Sequence, residues 1–110
     1  MEGQAKNLKI KTGILKRLTK EKLMYEEEVS ALQEKLQMYK NEGKDEYFIK
    51  KQTEVLKEAN MMVPDTIRRL QRAYDDLKMT IDGATHISKE SEIYETALVV
   101  LKDAEPHLVQ

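Results

Sequence analysis

Apolar positions along the first forty residues fall into two columns with a seven-residue repeat. One column is Leu8, Leu15, Lys22, Val29 and Leu36; the other is Lys11, Leu18, Tyr25, Leu32 and Tyr39. Eight of these ten positions are apolar. A 3–4 spacing held that long predicts a helix packed along one stripe, from about residue 4 to 40. Lys11 and Lys22 interrupt the stripe, and their long stems are expected to snorkel past its edge. Gly13 costs about 1 kcal/mol relative to Ala inside a helix, so a start delayed to near Thr12 is an alternative.

Asn41-Glu42-Gly43-Lys44-Asp45 reads as a turn, with Gly43 the left-handed residue after the helix end and Asp45 the cap of the next helix. That second helix is expected over residues 46–81. Ile49, Leu56, Val63, Leu70 and Leu77 give it an unbroken apolar column, and Gln52, Ala59, Thr66, Ala73 and Thr80 give a small or polar companion that lets another helix approach closely. The extra apolar residues change flank along it: Phe48, Val55 and Met62 before Pro64, Ile67, Tyr74 and Ile81 after it. Pro64 removes a backbone donor and crowds the preceding turn, so one helix kinked at Pro64 is expected.

Asp82-Gly83-Ala84-Thr85-His86 reads as the second turn, and Ser88 as the cap of a third helix over residues 88–105, with Glu90 and Glu92 in its first turn. Tyr94, Ala97, Leu98, Leu101 and Ala104 are its expected apolar face, with Pro106 ending it. At 1.5 Å per residue the first two helices are about 55 Å long and the third about 25 Å. Connections this short make neighbours antiparallel. The fold expected is all-α: an elongated up-down-up three-helix bundle, one domain spanning residues 1–110.

Composition agrees, with 40% apolar and 35% charged residues, two Pro and no Trp. Net charge is −1, which gives no bulk attraction to nucleic acid or membrane. The charge is polarised, however. Residues 1–24 carry seven basic and two acidic side chains and residues 25–46 three and seven; residues 47–80 carry seven and five and residues 81–110 two and six. The basic residues of the first segment fall on several sides of its helix with no aromatic interleaving, which argues against a nucleic-acid groove. The absence of cysteine excludes disulfides and thiolate chemistry. The first residues lack the apolar run of a signal peptide, and no stretch approaches the roughly 20 apolar residues of a membrane span. A cytoplasmic protein is expected.

Catalytic chemistry finds little footing. Glu26-Glu27-Glu28 and Asp75-Asp76 are adjacent on helices and fan into solvent, where no water-poor cleft shifts their protonation. His86 lies in a turn and His107 near the chain end, neither with a second metal ligand at helical spacing. No Gly-rich phosphate loop and no nucleophile–base pattern occurs. A binding protein without cofactor or metal is expected, not an enzyme. Met61-Met62-Val63-Pro64 is the most informative short stretch: it either fills the bend of the bundle or stays partly exposed as an adaptable partner surface, with Arg68, Arg69 and Arg72 beside it.

Two stretches go beyond a generic helix. Ile10-Lys11-Thr12-Gly13-Ile14-Leu15-Lys16-Arg17-Leu18, followed by Lys20-Glu21-Lys22-Leu23-Met24-Tyr25-Glu26, resembles the opening of the tubulin folding cofactor A family. Ile49-Lys50-Lys51-Gln52, Met61-Met62-Val63-Pro64-Asp65, Arg68-Arg69-Leu70, Ala73-Tyr74 and Asp76-Leu77 resemble the family's second helix in order and spacing. The resemblance implies a three-helix bundle that binds quasi-native β-tubulin after chaperonin release and hands it to further tubulin-folding cofactors, without nucleotide or metal. It also implies a place with the cytoskeleton. Tubulin is acidic in general terms, so Lys16, Arg17, Lys20, Arg68, Arg69 and Arg72 are expected partner contacts, with Met61, Met62, Pro64 and Asp65 at the bend. A monomer is expected, with a homodimer through the first helix as the alternative state. The competing function is a coiled-coil adaptor or assembly module for another protein partner.

Overall fold

The computed structural model describes residues 2–108; Met1, Val109 and Gln110, the ends of the expected domain, lie outside the described residues. Three α-helices follow one another: α1 (Glu2–Asn41), α2 (Glu46–Asp82) and α3 (Glu92–Ala104), with a 3₁₀ turn at Glu105–His107. No strand occurs among the described residues. Helix α1 runs through Gly13 from Glu2, so no delayed start occurs. Leu8 and Leu15 on either side are fully enclosed, and their burial outweighs the helix penalty of one glycine. Thr12 is itself buried, and its hydroxyl donates to the Leu8 carbonyl at 2.7 Å.

Both ends of the first turn follow from local chemistry. Gly43 adopts φ +72°, the conformation an L side chain resists. The Gly43 N–H then reaches the Lys40 carbonyl and the Lys44 N–H the Tyr39 carbonyl, a Schellman closure of the helix end. Asp45 caps α2 by accepting from the Phe48 N–H at 2.7 Å. Helix α2 carries Pro64 in its interior and continues as one element through it.

The third helix starts later than expected. Ser91, not Ser88, is its N-cap, accepting from the Tyr94 N–H, and Glu92 and Glu95 fill the first turn. Ser88 is engaged one step earlier: its hydroxyl accepts from the Glu90 N–H and its carbonyl from the Ser91 hydroxyl. The intervening chain crosses from α2 to α3 with Ile87 packed on the core and the His86 N–H donating to Gln4. The buried face of α3 is also displaced from expectation. Val100 is buried and Leu98 is 44% exposed. Leu98-Val99-Val100-Leu101 is apolar on all sides, so spacing alone did not orient it.

The core is concentrated where α3 lies. Leu8, Leu15 and Leu18 of α1, Leu70, Leu77 and Ile81 of α2, and Ala97, Val100, Leu101 and Ala104 of α3 make one buried cluster. Beyond it α1 and α2 continue as a two-helix hairpin. Next to the cluster Lys22, Thr66 and Ile67 are still buried; further towards the tip only Leu36 and Ala59 are buried among the described residues, while Tyr25, Val29, Leu32, Leu56 and Val63 remain half-buried. Near the hairpin tip the Tyr39 and Phe48 rings meet edge to face at 4.9 Å. The result is a rod of 64 × 21 × 17 Å, thick at one end and thin at the other.

Candidate partner-binding surface

The sides of the hairpin are set by helix periodicity and by what α3 touches. On α1, Lys9, Thr12, Lys16, Thr19 and Lys20 border grooves against α3. On α2, Tyr74 marks the same side, its hydroxyl donating to Glu105 at 3.0 Å. Seven-residue steps back from Tyr74 reach Ile67, Asn60 and Thr53, the last two lining an open groove with Leu56, Lys57, Met61 and Pro64. This is the front. The back is marked by Lys11, whose ammonium donates to Asp76 and Thr80, each at 3.0 Å. Further along the back, Tyr25, Glu28, Val55, Glu58, Ala59 and Met62 line a second open groove.

The ten partner-contact residues named from sequence therefore divide. Lys16 and Lys20 are exposed on the front beside α3, and Pro64 is half-buried on the front of α2. Arg17 stands on the back column of α1 between Ile10 and Met24. Met62, Asp65, Arg69 and Arg72 stand on the back of α2, with Met61 and Arg68 at its outer edge. Met61 is 64% exposed and Met62 36%, so both methionines face solvent rather than the interior of the bundle. Asp65 holds Arg68 at 3.5 Å and Arg69 at 3.4 Å. The Arg69 Nε is buried and its alignment with Asp65 is too poor for a hydrogen bond, while its terminal nitrogen donates to Thr66. Arg17 and Arg72 form no ion pair among the described residues.

Lys22 departs from expectation. Its side chain does not snorkel out but is buried, with its ammonium 3.5 Å from Glu26 and 3.3 Å from His107 Nδ1. The 3₁₀ turn folds His107 over it, a contact between residues 85 apart that no helical spacing reveals. The turn is pinned a second time by Tyr74 and Glu105. Burial first, then the hydrogen bond and the charge of Glu105, then the charge of Asp75, raise the Tyr74 phenol above its usual value.

Also missed from sequence is the extent of the apolar back. Ile10, Ile14, Met24 and Met38 of α1 lie on this side, all 37% exposed or more. Their spacing in multiples of three, four and seven was legible, but which flank stays open depends on where α3 packs. Among the described residues no cluster of His, Asp or Glu could hold a metal ion, and no helix is long and apolar enough to cross a membrane. The surface lends itself to partner contact through exposed methionines and through guanidinium groups that form no ion pair among the described residues.

Comparison with known proteins covers nearly the whole rod. The sequence profile of the family described as Tubulin binding cofactor A matches residues 3–101. The rat (Rattus norvegicus) protein named Tubulin-specific chaperone A is 45% identical over 100 residues, covering 91% of this chain and 92% of its own. Among solved structures, tubulin folding cofactor A from Arabidopsis thaliana superposes with a TM-score of 0.87 at 39% identity, covering 96% of this chain and 99% of its own. Human tubulin chaperone cofactor A gives a TM-score of 0.78 at 40% identity, covering 93% and 98%.

Proposed function

The chain belongs to the tubulin binding cofactor A family, and on that premise we propose that it is a tubulin-folding chaperone cofactor that binds β-tubulin. It takes up quasi-native β-tubulin after release from the chaperonin, holds it as a binding protein without enzymatic chemistry, and passes it to other tubulin-folding cofactors for assembly into the αβ heterodimer. This work belongs to the cytoplasm, in association with the cytoskeleton. The observation that carries the reading is the exposed Met61–Met62 stretch, bordered by Arg68, Arg69 and Arg72, on a rod that matches the family along nearly its full length.

The working unit is one domain over residues 1–110, an antiparallel up-down-up bundle acting as a monomer. Supporting this path, Lys11 near the start of α1 meets Asp76 near the end of α2, while Tyr39 and Phe48 meet at the other end. Lys22, further along α1, meets His107 beyond the end of α3. The helix bends at Pro64, because the Asn60 carbonyl there lacks the N–H that a non-proline residue would supply. Lys16, Arg17, Lys20, Arg68, Arg69 and Arg72 supply charge to an acidic partner, with Met61, Met62, Pro64 and Asp65 making the contacts at the bend.

A pull-down of the purified chain against freshly chaperonin-released β-tubulin and, separately, intact αβ heterodimer tests the proposal. Selective capture of the free β subunit is expected. Capture of neither by a chain shown folded by circular dichroism would overturn it in favour of a coiled-coil adaptor.

A further inference from the structure

The hairpin has one side covered over part of its length by α3 and one side that no other element among the described residues covers. Ile14, Met24, Tyr25, Val55 and Met62 lie along the open back, interleaved with charge in a definite order. Towards the thick end stand Arg17, Arg69 and Arg72. Then come Met24, Tyr25 and Met62, and beyond them Glu28 and Glu58, both exposed and without an ion pair among the described residues. The order is thus a basic layer in which Asp65 holds Arg69, then Glu21 at its border, an apolar layer and an acidic layer. Arg17 and Glu28 are eleven residues apart on α1, about 16 Å or three helical turns.

We infer that this back face is the docking surface for an amphipathic helix of the tubulin polypeptide. The helix would carry carboxylates towards one end, apolar side chains at three- and four-residue spacing, and a basic group about three turns on. Its carboxylates meet Arg17 and Arg72, which form no ion pair among the described residues, and guanidinium groups pair carboxylates with good geometry. Its basic end meets Glu28 and Glu58. Its apolar side chains lie between Met24 and Met62, whose flexible thioethers repack around differing shapes. Docked there, the helix would complete a three-helix layer over the thin half of the rod, where α3 does not reach.

A second copy of the chain fits this surface poorly. A parallel copy would set each charged layer against its own kind. An antiparallel copy that sets Arg17 and Arg69 over Glu28 and Glu58 lays Met24 and Met62 over Glu21 and Asp65 of its mate, and one centred on the methionines brings Glu28 and Glu58 over those carboxylates instead. Like charges opposed in this way cost affinity and select against the pairing.

The inference rests on the tubulin reading, and its test separates the two. The combined M24E and M62E variant places charge in the apolar layer, and R17E with R72E reverses the basic layer. L98E on α3 is the control, and all these positions are exposed, so the fold is retained and checked by thermal melting. With chaperonin-released β-tubulin as probe, each back-face pair should weaken capture by about tenfold or more, and L98E should leave it unchanged. If the unaltered chain captures no β-tubulin, the tubulin reading falls and this inference with it. If the unaltered chain captures β-tubulin and the back-face variants do so equally, the face is wrong while the tubulin reading stands. If light scattering shows the unaltered chain as a dimer that M24E with M62E dissolves, the occupant is a second copy and the inference is overturned.

Discussion

Replacing Leu70 with Ala should destabilise the chain by about 3–4 kcal/mol. Leu70 is fully buried in the cluster where all three helices meet. Truncation removes about 2 kcal/mol of transfer free energy at roughly 0.8 kcal/mol per buried methylene. A cavity term adds to this because the neighbours cannot close the gap: Ala97 and Ala104 of α3 are already small and fully enclosed. Truncating Val55, 46% exposed in the thin half, should cost less than about 1 kcal/mol by the same reasoning. Urea unfolding followed by helical circular dichroism measures both, and for an m-value near 1.5 kcal/mol/M the Leu70→Ala midpoint should fall by about 2 M. A Leu70→Ala loss under about 1 kcal/mol, or equal losses at the two sites, would refute the placement of the core at the α3 end.

Gly13→Ala should stabilise the chain by about 1 kcal/mol, since an added Cβ meets no atom within 4 Å and the residue lies inside α1; a melting temperature raised by a few degrees would register it. Ser91→Ala should cost about 1 kcal/mol through loss of the N-cap, and Ser88→Ala markedly less; chemical denaturation of the pair would expose a wrong cap if the order reversed. Tyr74 holds its proton more tightly folded than unfolded, so its contribution is full below the ordinary phenol value of 10.0 and fades as pH rises through the raised folded value. Tyr74→Phe should therefore lessen the alkaline loss of stability, read as the difference between the two melting curves from about pH 9 upward, whereas parallel curves would argue against the Glu105 contact.

The seams of α1 and α2 could be read from sequence because heptad columns encode a stripe whatever packs on it. Gly43 and Asp45 were legible for a similar reason: their roles depend on local backbone geometry alone. Contacts closed by the last residues were not. Lys22 looked like a seam defect bound for solvent, and only the return of His107 over α1 encloses it. Ser88 and Ser91 both precede acidic residues, and the choice between them depends on how the crossing chain anchors Ile87. The division of the basic and methionine residues into front and back was hidden too. Periodicity places Arg17 and Lys16 on different flanks, but it says nothing about which flank α3 covers.

The absence of cysteine makes the most direct test of the binding account practical. Single-cysteine variants M24C and M62C on the back and L98C on α3 would be alkylated with and without chaperonin-released β-tubulin, and the modified chain followed by mass spectrometry. The account predicts that β-tubulin slows alkylation at M24C and M62C and leaves L98C unchanged. Unchanged rates at both back-face positions, or protection at L98C alone, would contradict it.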